Sequence, residues 1–343
     1  MHAIISAVKV SELGEFGLID RLAKIVDRSA GKQASGQRLI VGIGDDAAAW
    51  WGDTSIQLAT VDSFIQDIDF SLDIATWGEL GWKALAASTS DIAAMGGEPR
   101  YALVSLALPG HTEVEDVIAL YRGMVALADE LGMVIVGGDT SSAAIVAIAI
   151  TVLGSAKNGG NHILIRSGAQ PGEKIAVTGY LGTAAAGLEM LRGKLQFDPE
   201  SANELRKAFL HPYPRIAEGQ QLVAQGVKTA IDISDGLISD LNHICRLSRV
   251  GARVEIDRVP VAPQVKANFG SRALQMALAG GEDFELLFTA SAETIDKVKT
   301  AVSCPVTVIG EIIADEVGKV TLIDRQGNPF RLGKAGWEHF KTR

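Results

Sequence analysis

Aspartates recur in this chain in five short segments, each beside a glycine or a hydroxyl residue, and four of them follow an apolar run. They are GIGDDA (Gly42 to Ala47), TVDS (Thr60 to Ser63), STSDIAAMG (Ser88 to Gly96), GGDT (Gly137 to Thr140) and DISDG (Asp232 to Gly236). This pattern narrows what the chain can fold into. Carboxylates that recur at strand ends predict a convergent site for hard cations. Mg²⁺ takes oxygen ligands and shares them between one or two carboxylates and a substrate phosphate. The chain reads first as a Mg²⁺-nucleotide enzyme.

Its 343 residues suggest two domains, with length for sizeable cores. A composition 47% hydrophobic and 21% charged fits a globular protein and argues against disorder. The net charge is −9 and no Lys/Arg run tracks a phosphate backbone, so nucleic acid is not an expected partner. Cys245 and Cys304 sit in apolar sequence outside any CxxC, which predicts buried, reduced thiols. The N-terminus lacks the pattern of a signal peptide. The longest strongly apolar stretch, Ile145 to Leu153, is about half the ~20 residues a membrane span needs. The expected location is cytoplasmic, with no membrane contact.

Periodicity predicts a helix over Glu12–Asp27 and strands over Leu39–Ile43 and Ile56–Val61, the second stopping at Asp62. Trp77–Met95 reads as a buried helix, with Glu98-Pro99 ending that unit. A strand over Tyr101–Leu108, a helix over Glu113–Leu131 and strands over Met133–Val136 and Ile145–Leu153 follow. A boundary is expected near Lys157 to His162. Beyond it, strands are predicted at Lys174–Thr178, Ala230–Ile233, Val254–Ile256, Leu286–Phe288, Val306–Ile309 and Val320–Ile323. Helices are predicted at Ala184–Leu191, Ala217–Gln225 and Leu237–Arg249, and Pro199–Arg215 reads as a surface connection. The fold class is an α/β (α+β) mixture with adjacent and crossover strand pairs.

No GxxxxGK[ST] is present, nor the HRD and DFG set of protein kinases. If phosphate is bound, metal ions must do much of the cradling, which makes the carboxylates meaningful. Each also has a plainer reading. Asp45-Asp46 serves equally as an acidic turn, and Asp62 as a strand-end cap. Asp91, in an alanine-rich helix, needs a metal or a basic partner, because a buried lone carboxylate costs several kcal/mol. Asp139 follows two glycines that permit close backbone approach to a ligand. Ser234 or Asp235 reads as an N-cap, at a helix end that also suits phosphate. Glu282 and Asp283 precede a strand as another acidic turn, and Arg166 is a surface arginine or a phosphate contact.

In order along the chain come GEFGLI, GIGDDA, TVDS, KALAASTSDIAAMGGEP, GGDT, RSGAQPGEKIAVTG, AIDISDGLISDLNHI, GGEDFELLF and GWEHF. Together they resemble the thiamine-monophosphate kinase family, within the superfamily of aminoimidazole-ribotide-synthetase-like ATP enzymes. The resemblance runs from about Glu12 to Phe340. It implies a two-domain synthetase-like fold: residues 1–157 for ATP and Mg²⁺ binding and dimerisation, and 158–343 as an α/β domain completing the active site. It further implies a homodimer whose N-terminal domains join strands in a shared barrel. The implied reaction is direct in-line transfer of the ATP γ-phosphate to thiamine monophosphate, with several Mg²⁺ ions and often K⁺. Carried over residue by residue, the metal ligands are Asp46, Thr60, Asp62, Asp91, Asp139, Asp232 and Asp235. Gly138, Asp139, Arg166 and Ser234 contact ATP, Asp139 and Asp235 are catalytic, and Asp69, Glu282 and Trp337 face the substrate.

The chain departs from the family pattern at three points. Asp69 stands where a substrate-contacting histidine is expected, Ser141-Ser142-Ala143 replaces Thr-Arg-Gly after GGDT, and Val61 replaces a frequent hydroxyl. Two other functions therefore stay open: a superfamily kinase or ligase with another phosphorylated metabolite, and a nucleotide-binding protein without catalysis.

Overall fold

The computed structural model describes residues 8–13, 15–27, 39–41, 49–50, 52, 54–157, 162–333 and 336. The described residues divide into two compact units. One holds those up to Thr89 together with Pro99–Ser155; the other holds Ser90–Glu98 and those from Ala156 onward.

The first unit begins with helices α1 (Val10–Leu13) and α2 (Glu15–Asp27). Leu18, Leu22 and Val26 recur every fourth residue on α2 and are buried together. A short antiparallel pair follows, β1 (Leu39–Val41) with β2 (Ala49–Trp50). Then come β3 (Gln57–Ile65), α3 (Trp77–Ala94), β4 (Gly97–Leu108), α4 (Val114–Leu131), β5 (Val134–Ser142) and β6 (Ala147–Ala156). Four of the strands form a sheet in the order β3-β6-β4-β5. β3 and β6 run antiparallel from Gln57↔Ser155 to Ile65↔Ala147. β4 and β5 run parallel, with α4 as the crossover between them. Val104, Leu106, Ile148, Ile150 and Val152 are buried on one face of this sheet. Alternation puts Ala59, Val61, Ser63 and Ser105 on the other face, and these are exposed.

The second unit contains β7 (Lys174–Thr178), α5 (Thr183–Gly193), α6 (Pro199–Leu210), α7 (Ile216–Ala224), β8 (Thr229–Asp232), α8 (Leu237–Ser248) and β9 (Gly251–Glu255). It continues with α9 (Pro263–Phe269), α10 (Ala273–Ala279), β10 (Leu286–Ala290), α11 (Ala292–Ala301), β11 (Val306–Ile313) and β12 (Val320–Ile323). The sheet order is β12-β9-β11-β7-β10-β8. Only the β12–β9 pair is parallel. Helices cover both faces. Ile175, Val177, Ile231 and Leu287 pack with Leu205, Leu237, Leu241 and Leu278 on one side. Ala176, Ala230, Leu286 and Phe288 pack with Leu222, Ile295 and Val298 on the other. That double cover explains why β7, β8 and β10 read as unbroken apolar runs.

Several expectations are corrected. β3 does not stop at Asp62: Phe64 and Ile65 continue the ladder to β6. β5 likewise runs on through Gly137-Gly138-Asp139 to Ser142. β4 starts at Gly97, so Pro99 lies within the strand, ahead of its pairing with β5, which begins at Tyr101. Pro199–Arg215 is no surface connection over most of its length. Asp198 caps α6 by accepting from the Ser201 N–H (2.9 Å), and Pro199 occupies the first turn, where its missing N–H does no harm. Leu205, Phe209 and Leu210 of that helix are buried. Cys245 is buried as expected, whereas Cys304 is only partly so. The helices α9, α10 and α11 were not read from the sequence.

Candidate active site

In the first unit, Thr60 and Asp62 lie two residues apart on β3, on the same face of the strand and about 7 Å from each other. Gly138 and Asp139 lie on β5, at the opposite edge of the sheet. With two strands between, the edges stand roughly 14 Å apart. The sheet therefore holds Asp62 and Asp139 on opposite edges and does not gather them. Gly138 has φ +158°, and a Cβ there would collide with the Val104 carbonyl, so only glycine lets β5 lie this close to β4. Asp69 closes the turn after β3: its carboxylate accepts from the Ile65 N–H (2.8 Å), and its own N–H donates to the Ile65 carbonyl (2.9 Å). Asp46 and Trp337 lie outside the described residues.

In the second unit the end of α3 meets the end of β8. Ser90, wholly buried, donates its hydroxyl to Asp232 Oδ2 at 2.7 Å. Asp91 is the next residue of α3, where successive side chains point in different directions, so the bond itself fixes Asp232 and not Asp91. Asp232 is itself 2% exposed.

Neither Ser234 nor Asp235 caps α8. The N-cap is Gly236 and makes no side-chain cap bond. The N–H groups of Ser234 (3.1 Å), Asp235 (3.2 Å) and Gly236 (3.1 Å) all donate to Oδ2 of Asp240, which reaches back from the first turn of α8. Asp240 was missed in the sequence. An acidic residue in a helix's first turn was the available signal. Burial first, and then the charges of Asp232 and Asp235, push its pKa up to about 8. Carboxylates crowded this way repel one another until a cation joins them. Asp235, Asp240 and His243 offer ligand atoms within 4.8 Å of one another. The two carboxylates of this group suit Mg²⁺, which takes oxygen ligands, whereas the third donor is an imidazole nitrogen.

Positive charge lies alongside. Burial, then Arg246 and Arg166, hold His243 below the usual imidazole range, opposed by Asp235. Ser248, at the far end of α8, accepts from the N–H groups of Gly168 (3.0 Å) and Ala169 (3.1 Å) and donates to the Arg166 carbonyl (3.3 Å). The backbone at Arg166 is thus tied to the end of α8, and its side chain is exposed.

The GGEDFEL segment lies against DISDG because β10 pairs with β8, Leu286 opposite Asp232. Glu282 N–H donates to Ser234 O (2.8 Å), Phe284 N–H to Ile233 O (2.9 Å) and Ile233 N–H to Glu285 O (2.8 Å). Glu282 and Phe284 have φ +69° and +49°. Side-chain-bearing residues avoid this left-handed region at a cost of roughly 1–2 kcal/mol each, and such strain clusters at functional sites. Glu285 holds Arg215 through two bonds (2.7 and 2.5 Å) and accepts from Thr178 Oγ1 (2.6 Å).

The two α/β units are those of an AIR synthase related protein. Residues 44–156 match the N-terminal domain of that family and residues 170–323 its C-terminal domain. The thiamine-monophosphate kinase of Bacillus subtilis is 36% identical over 313 residues, 88% of this chain and 94% of that protein. The crystal structure of thiamine-monophosphate kinase from Stenotrophomonas maltophilia superposes with a TM-score of 0.78 at 32% identity, covering 94% of this chain and 98% of that one. AaThiL complexed with AMPPCP and TMP superposes at 0.74 with 28% identity, over 98% and 100% of the two chains. This chain belongs to the thiamine-monophosphate kinase family.

Proposed function

We propose that the protein transfers the γ-phosphate of ATP to the phosphate of thiamine monophosphate, giving thiamine diphosphate and ADP. The observation that carries this reading is kinship with thiamine-monophosphate kinases over nearly the whole chain. The AaThiL complex with AMPPCP and TMP supports the same pair of substrates.

In this reading Asp46, Thr60, Asp62, Asp91, Asp139, Asp232 and Asp235 hold Mg²⁺. Asp139 and Asp235 lie nearest the reacting phosphates. Gly138, Arg166 and Ser234 contact ATP, and Asp69, Glu282 and Trp337 face the thiamine half. Bound Mg²⁺ supplies charge neutralisation on the phosphate oxygens. The chain's own part is orientation: Ser90 and Asp240 hold the DISDG carboxylates in place, and Arg166 stabilises charge on the transferred group. K⁺ serves as an accessory cation. Residues 1–157 supply ATP and Mg²⁺ binding and dimerisation, and residues 158–343 the remaining site groups. A homodimer joined through the four-stranded sheet is supported by that sheet's exposed face. A cytoplasmic location suits a kinase that draws on ATP. Among the described residues no helix is long and apolar enough to cross a membrane.

Purified protein with Mg-ATP and thiamine monophosphate is expected to form thiamine diphosphate, read by its fluorescent oxidation product. No product above background with ATP binding intact would overturn the proposal. Asp69 and the sequence Ser141-Ser142-Ala143 favour one alternative, a superfamily kinase with a different phosphorylated acceptor. ADP release across a panel of phosphorylated metabolites distinguishes the two.

A further inference from the structure

Between the two left-handed residues Glu282 and Phe284 lies Asp283, whose carboxylate turns away from the DISDG loop. It accepts from the N–H of Gly182 (2.7 Å) and from the N–H of Ala184 (3.2 Å), the first turn of α5. α5 has no side-chain cap of its own: its N-cap residue is Gly182, at φ +83°. A Cβ at Gly182 would approach the Ala277 nitrogen to 2.7 Å, so the chain there is pressed against α10. Three residues earlier, Gly179 packs on Glu285, whose carboxylate would collide with a Cβ at that position. The loop Gly179–Thr183 is therefore draped over Asp283 and Glu285, two carboxylates that flank Phe284. Backbone bonds to Ile233 and Ser234 hold the opposite side of the same segment.

We propose that Asp283 is a positioning residue for thiamine recognition: by capping α5 from a distance it holds Glu282 in its left-handed conformation and fixes where the Glu282 carboxylate points. This rests on the reading above in which Glu282 faces the thiamine half. Two neighbouring left-handed residues relax towards ordinary backbone unless the residue between them is anchored. Asp283 is that anchor, and the element it is tied to, α5, carries no predicted ATP or metal residue. Its loss should therefore be felt by one substrate and not the other.

The test uses Asp283→Asn and Asp283→Ala in the full chain, with each substrate varied at saturating levels of the other. Asp283→Ala is expected to raise the KM for thiamine monophosphate about tenfold or more and to leave the KM for ATP within about twofold. Asp283→Asn, which keeps one acceptor oxygen, should fall between. In a double-mutant cycle with Glu282→Ala the two effects should fail to add, because one residue acts through the other. Additive effects, or equal changes in both KM values, would refute the positioning role. Amide hydrogen exchange provides a readout independent of the substrate. Asp283→Asn should speed exchange in 282–285 and in 179–184 together, and unchanged protection in either segment refutes the coupling. Failure of the wild-type protein to use thiamine monophosphate counts against the proposed function alone, since the exchange experiment still decides the role of Asp283.

Discussion

Ser90 shows how much of the candidate site depends on one atom. Its hydroxyl is buried at 0% exposure and serves Asp232, a carboxylate that is itself almost wholly buried. Ser90→Ala leaves that carboxylate short of a donor, and a hydrogen bond to a charged buried group is worth roughly 1.5–3 kcal/mol. The variant is expected to lose about that much stability in urea unfolding without Mg²⁺, and less with Mg²⁺ bound, because a cation on Asp232 offsets the missing donor. An equal loss in both conditions would show that Asp232 does not meet the metal. Asp283 has a pH signature. Burial pushes its pKa up to about 7 against the N–H groups it accepts from. A carboxyl raised above its unfolded value of 3.8 stabilises the fold below that value, and the benefit is lost as pH rises towards 7. Asp283→Asn lacks this dependence, so its stability relative to wild type should improve between pH 5 and pH 8, as read by thermal melts. The aspartates of DISDG and GGDT stood out in the sequence as candidate ligands because their neighbours are glycines and hydroxyls. Asp240 and Asp283 were not, since each acts on backbone N–H groups that only the folded chain brings within reach.

Elements were legible where one face or both faces are apolar for their full length. α3, α4, β7, β8 and β10 follow that rule, whereas the strand expected at Val254–Ile256 lies at Gly251–Glu255. α6 did not, because its surface is polar and its start is marked only by Asp198-Pro199. The ends of β3 and β5 were misplaced for a related reason: glycines and an aspartate read as a stop, whereas ladder bonds to β6 and β4 carry the strands onward. The adjacency of DISDG and GGEDFEL was also hidden, as it depends on the register of β10 against β8, a pairing about fifty residues apart in sequence. Gly138 on β5 makes the element-level dependence testable. A Cβ there meets the Val104 carbonyl at a backbone conformation that favours glycine. Gly138→Ala should therefore push β5 away from β4, costing ~1–3 kcal/mol as overpacking does. Urea midpoints report the stability. The KM for ATP should rise with it, because Asp139 is the next residue, and an unchanged KM would remove Gly138 and Asp139 from the nucleotide site.

At the level of the whole molecule, the four-stranded sheet is buried along one face, while the other is buried around Tyr101 and exposed around Val61. Val61 is 60% exposed at the centre of the edge strand β3, on the face opposite Thr60 and Asp62. Around it by alternation stand Ala59, Ser63 and Ser105, small side chains that leave the sheet surface flat. A sheet edge and an apolar face left in water invite a second sheet, and a two-fold partner presents the same surface in return. Burying a valine side chain gains about 1.5 kcal/mol or more per subunit. In the proposed homodimer, Val61→Glu would reverse that gain and set like charges against each other across the interface. Light scattering after gel filtration should find the wild type at twice the chain mass and Val61→Glu at the chain mass, with unchanged circular dichroism. A wild-type protein that stays at the chain mass at micromolar concentration would sink the homodimer. A variant that remains dimeric would move the interface to another surface, because two buried glutamates facing each other cost several kcal/mol.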